Sequence, residues 1–141
     1  MSVWAGLTNW LINDTSSVVD ATVMIALGTN DINASVLSTT LIQYAKQLCQ
    51  QAKGAGAKRG IMCTIPPSSA FSSPKNTELA LFNNWVTSNP GGWFDTVFDV
   101  HSIVKDPGTP TQLLPAYAAT GGIHLTTAGF TALKAAFTTI T

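Results

Sequence analysis

Thr29, Asn30 and Asp31 put a hydroxyl, an amide and a carboxylate directly behind an apolar run, in Ala21-Thr-Val-Met-Ile-Ala-Leu-Gly-Thr-Asn-Asp31. Thr22 to Leu27 shows no alternation, and Gly28 stops it. Such a run reads as a strand buried on both faces. Open α/β sheets hold their sites at the carboxyl ends of such strands, so the polar trio is placed for binding or catalysis. The same residues also suit a plain strand-to-helix turn, with Gly28 at the bend and Asn30 or Asp31 as caps. Cys49 and Cys63 fall in a predicted helix and a predicted strand, which favours two buried free thiols over a disulfide. No Cys/His cluster has the spacing of metal ligands, and neither a metal nor another cofactor is expected.

The elements that must position these groups follow from periodicity. Residues 4–13 read as a short helix, with Trp4, Leu7, Trp10 and Leu11 at helical spacing. After the strand at 22–27, a helix is predicted over 34–53 on the stripe Leu37, Leu41, Tyr44, Leu48 and Ala52. Gly54 and Gly56 are its stops. A second strand covers 59–65 and ends at Pro66-Pro67. Ser68 to Ser73 is a loop, and Ser73-Pro74 opens a helix with Leu79, Phe82, Trp85 and Val86 on its apolar face. A third strand is predicted at 95–101. A Pro- and Gly-rich loop runs from Lys105 to Gly122, and a last helix at 126–139 carries Phe130, Leu133, Ala136 and Phe137 on one side. This order predicts an α/β protein: one domain over 1–141, three layers (α/β/α), and a small parallel sheet joined by right-handed crossovers.

The 141 residues have a formal net charge of zero and only 10% charged residues, with 45% hydrophobic. No basic run exists, so neither nucleic acid nor an anionic membrane is indicated as a partner. No apolar run is long enough to span a bilayer. The first residues lack a basic region and make a poor signal peptide. So few charges, with Ser and Thr as the polar surface, suit a secreted protein or a subunit of a large assembly.

The last third adds a pattern. Phe98-Asp-Val-His-Ser-Ile-Val-Lys-Asp-Pro107, Leu113-Leu-Pro-Ala-Tyr117 and Gly122-Ile-His-Leu-Thr-Thr-Ala-Gly-Phe130 resemble the end of the SGNH (GDSL-type) esterase and lipase family. Gly28-Thr-Asn-Asp31 resembles that family's G-x-N-D block, and the two fall in the family's order. The resemblance implies a flavodoxin-like SGNH-hydrolase fold lacking its first strand. It also implies acyl transfer by a Ser-His-Asp arrangement in which backbone and Asn groups bind the oxyanion. Carried over by position, His124 matches the general base and Asn30 an oxyanion donor. Gly6 is a second candidate donor on a weaker match, and Gly28 and Asp31 belong to the same turn.

Two members of that arrangement have no counterpart. The family's Gly-Asp-Ser block is absent, and the position of its Asp, three residues before the His, is Gly121. Asp99 and Asp106 are candidate replacements as orienter, His101 is expected to be structural, and Ser68, Ser69, Ser72 and Ser73 are candidate hydroxyls. The expectation is a degenerate, N-terminally truncated domain acting as a structural or interaction subunit, for example of a virus particle or another extracellular assembly. The alternative is an esterase or carbohydrate O-deacetylase part whose Ser-bearing strand comes from another chain. Without the family's first strand, the strand Thr22–Leu27 becomes an apolar edge that calls for a protein partner or a second copy. The Trp4 and Trp10 face would join that surface, and Trp85 or Trp93 could stack on a glycan.

Overall fold

The computed structural model describes residues 18–139. The helix predicted at 4–13, with Gly6 and the Trp4 and Trp10 face, lies outside them. Three parallel strands form the sheet: β1 (Thr22–Ile25), β2 (Arg59–Cys63) and β3 (Thr96–Phe98), in the order β1-β2-β3. The helices are α1 (Thr29–Asn33), α2 (Ser38–Gly54), α3 (Ser73–Ser88), α4 (Val100–Val104) and α5 (Thr127–Phe137). A 3-10 turn at Pro115–Tyr117 lies inside the long loop.

Alternation along β2 sorts the core onto two faces. Met62 packs with Leu41, Ala45, Leu48 and Cys49 of α2 and with Leu79, Phe82, Trp85 and Val86 of α3. Ile61 and Cys63 point the other way, toward Val104, Leu113, Leu133 and Phe137. There Phe98 meets Phe137 edge-on, ring centroids 5.4 Å apart. This is the pattern of a strand covered on both sides. The expected two-faced burial fails for β1. Val23 and Ile25 pack under α2, but Met24 is 49% exposed and Thr22 and Ala26 are exposed too. The layer containing α5 builds on β2 and β3, so the second face of β1 has no cover among the described residues.

Element ends depart from the periodicity reading for local reasons. The helix expected from 34 begins later: a short α1 closes at Asn33, Ser35 takes φ 64°, and α2 starts at Ser38. The Glu78 carboxylate of α3 accepts the Ser38 backbone N–H at 2.7 Å, satisfying a donor that the helix itself leaves unpaired. That bond lowers the Glu78 carboxyl below its ordinary value. The second strand ends at Cys63 rather than 65, because Asn83 takes Ile65 out of the ladder. The Asn83 Oδ1 accepts from Ile65 N and its Nδ2 donates to Ile65 O, both at 2.8 Å. The third strand ends at Phe98 rather than 101, because Asp99 caps α4 by accepting from Ser102 N. His101 is therefore helical. Phe130, expected on the apolar side of the last helix, is 60% exposed.

Candidate functional site

The turn after β1 depends on glycine. Gly28 has φ 114° and forms the N-cap of α1, a backbone conformation that side-chain-bearing residues rarely adopt. Its carbonyl accepts the Ile32 N–H at 2.9 Å, and Asp31 and Ile32 are buried beneath the turn. Asn30 is exposed, so its amide faces outward from the first turn.

His124 arrives from the far end of the chain on a pinned loop. The Ala119 N–H donates to the His124 carbonyl, and Gly122 N donates to Ala119 O, both at 2.9 Å. Buried Ser68 donates its hydroxyl to the Gly122 carbonyl at 2.8 Å, tying the loop after β2 to the same turn. Thr126 then caps α5 by accepting from Gly129 N, and its hydroxyl donates to Ala116 O.

These two segments meet. A cavity of about 250 Å³ is lined by Gly28, Thr29, Asn30, Pro66, Ile123 and His124, with Ala26, Leu27, Leu125 and Phe130 as further walls. The structure thus brings together Gly28, Asn30 and His124 at the carboxyl end of β1. Neither of the two candidate orienters joins them. Asp99 accepts from the Thr64 hydroxyl at 2.9 Å and from Ser102 N at 3.2 Å, and it lines a different cavity with His101. Asp106 accepts from Gly108 N in a local turn. Position 121 is Gly at φ 90°, and among the described residues no carboxylate hydrogen-bonds to His124. Of the candidate hydroxyls, Ser68 is spent on Gly122, and Ser69, Ser72 and Ser73 are exposed outside this cavity.

The second cavity, about 280 Å³, lies between α3 and α4 and is lined by Asn76, Asn83, Thr87, Asp99, His101 and Thr111, among others. Sequence reasoning missed its central link. Thr64 donates to Asp99 and accepts from His101 N at 2.9 Å, so one hydroxyl joins the ends of β2 and β3. Burial acts to raise the Asp99 carboxyl, but hydrogen bonds from Ser102 and Thr64 outweigh it and hold the group below its ordinary value. Burial pushes the His101 imidazole below its ordinary value, against the nearby Asp99 charge. The thiols are free and buried, and burial raises Cys49 to about 11 and Cys63 to about 12. Both stay protonated and inert at neutral pH. Among the described residues no group of three His, Cys, Asp or Glu side chains gathers to hold a metal ion.

No protein-family model matches this sequence, and no curated protein is similar to it. Solved structures are. One is a protein assigned to the G-D-S-L lipolytic family from Desulfitobacterium hafniense DCB-2, 15% identical with a TM-score of 0.81, the match covering 100% of this chain and 76% of that one. Another, assigned as a platelet activating factor from Streptococcus pneumonia, is 18% identical with a TM-score of 0.78, covering 99% and 68%. A GDSL-like lipase from Bacteroides thetaiotaomicron VPI-5482 is 15% identical with a TM-score of 0.75, covering 99% and 70%. At such identities the likeness is one of fold, and the fold is SGNH-hydrolase-like.

Proposed function

We propose that this SGNH-hydrolase-like domain serves as an interaction or structural subunit of a larger assembly and is not a self-sufficient ester hydrolase. The observation that carries this reading is His124. It shares a cavity with Asn30, yet Gly121 stands where an orienting carboxylate would be needed, and Asp99 and Asp106 are engaged elsewhere. An imidazole with no carboxylate partner among the described residues, and with none of the candidate serines in its cavity, lacks two parts of a unit that works only together. The half-covered β1, with Met24 exposed on its open face, supports a protein partner there. A virus particle or another extracellular surface is the kind of assembly such a low-charge chain suits. Trp85 is enclosed by Phe82 and Phe94, and Lys46 sits 5.1 Å over the Trp93 ring, so glycan stacking is not part of this proposal.

One feature favours a second reading, in which another chain supplies the nucleophile. The cavity holding Asn30 and His124 is open, and it adjoins the outer strand β1, where an added strand would end. Hydrolysis of p-nitrophenyl acetate separates the two. The chain alone should turn over no faster than His124→Ala. Faster turnover, or fluorophosphonate labelling of any Ser in the 68–73 loop, overturns the first reading. Labelling of a serine on an added partner, lost with His124→Ala, establishes the second.

A further inference from the structure

We infer that a third cavity, at the amino-terminal end of the sheet, is a binding site for a short unbranched monocarboxylate. It is formed where the chain enters the strands and where α2 ends. Val23, Ile25, Ala52, Trp93 and Phe94 give it apolar walls, and its volume is about 260 Å³. Parallel strands point the same way, so this end lies across the sheet from the cavity of Asn30 and His124.

The inner walls are apolar and the polar groups lie toward the mouth. Cys49 is its one thiol, and burial keeps that thiol protonated, with a pKa of about 11, so the thiol adds no charge to the lining. A cavity of roughly 150 Å³ with aliphatic and aromatic walls stays empty of water and takes up benzene. This one is larger, yet below the roughly 300 Å³ at which drug-sized ligands begin to fit. An apolar tail of about six to eight carbons is the matching size on that scale.

The mouth selects charge. Lys53 and Lys58 line it, and both are exposed. Lys53 Nζ donates to the Gly92 carbonyl, at 3.3 Å. The single carboxylate there, Asp95, is held by the Gly60 N–H at 2.6 Å. Two ammonium groups against one engaged carboxylate leave the rim net positive above an apolar chamber. An amphipathic anion satisfies both parts, whereas an amine would meet like charge and a neutral alcohol would leave the lysines unpaired.

Calorimetric titration of the full chain with octanoate, octylamine and octanol tests this. Octanoate should bind one to one and raise the melting temperature, with the amine and the alcohol at least about tenfold weaker. Hexanoate should bind about fifteenfold more weakly than octanoate, from two methylenes at about fourfold each. Lys53→Gln and Lys58→Gln should each weaken octanoate by about threefold to fivefold, the range of exposed ion pairs. Ala52→Leu, which fills the chamber, and Ala57→Leu, which narrows it from a half-buried position, should remove binding. Octylamine binding as tightly as octanoate, undiminished binding in a folded filling variant, or no octanoate binding at millimolar concentration overturns the assignment. If Ala52→Leu fails to fold, Ala57→Leu and the lysine variants decide it.

Discussion

Two asparagines show how differently one residue type is used. The Asn83 side chain is buried and closes both the N–H and the C=O of Ile65. Asn83→Ala leaves two buried backbone groups unpaired, and unfolding in denaturant should show a loss of about 3 kcal/mol. Asn30, by contrast, is exposed where it lines the cavity of His124. Asn30→Ala should therefore move stability by less than about 0.5 kcal/mol, as exposed sites do. His101 carries a pH dependence. Its folded-state value lies below the ordinary one, so the fold favours the neutral imidazole while the unfolded chain takes up a proton near about pH 6.5. The resulting stability is whole above that ordinary value and is lost as pH falls below it toward the folded value. Asp99 acts in the same direction at lower pH, its stability being lost as pH falls through the depressed folded value. Melting temperatures between pH 7.5 and 5.5 should fall with acidity, and His101→Gln should flatten that slope.

The turn that delivers His124 is the element on which the site depends. Gly121 and Gly122 both have positive φ, 90° and 66°. A Cβ on Gly121 meets nothing within 4 Å, so only backbone conformation resists a side chain there. Gly122 is constrained twice, because a Cβ would fall 1.9 Å from the Ser69 hydroxyl oxygen. Gly121→Ala should cost about 1 kcal/mol and Gly122→Ala about 2 kcal/mol or more, the excess coming from displacing Ser69. Chemical denaturation of the two variants side by side checks the order. The same geometry bears on restoring an orienter: Gly121→Asp has room but must adopt a left-handed backbone, so it is expected to yield no esterase activity by itself.

For the whole molecule, the outer face and edge of β1 decide how the chain exists. β1 pairs with β2 alone in the described sheet, and Met24 beside it is exposed. Each backbone pairing added along such an edge contributes about 0.5–1.5 kcal/mol, and covering the apolar side chains adds to it. In the native assembly, the amides of residues 22–27 that point away from β2 should be protected from hydrogen exchange. In the isolated chain they should exchange quickly. Slow exchange there in a verified dilute monomer would mean that the chain covers its own edge, and the partner proposal would fall.

The sequence by itself determined the α/β class, the three strands, the buried free thiols and the SGNH-like fold. The class and the strands depend on short-range signals: unalternated apolar runs, a helical stripe at Leu41 and Leu48, and Gly28 at a turn; the SGNH-like fold came from the resemblance of Gly28–Asp31 and of the blocks between Phe98 and Phe130 to that family. It also named Gly28, Asn30 and His124, which the structure brings to one cavity across more than ninety positions of chain. Only the tertiary structure decided which carboxylates are near which imidazole. Asp99 and Asp106 were candidates for His124 because sequence distance says little about which loops meet. Thr64 and the capping of α4 draw Asp99 toward His101 instead. The unequal burial of β1 and β2 was hidden for the same reason. Their apolar runs read alike, and only the placement of α5 over β2 and β3 leaves one face of β1 without cover among the described residues.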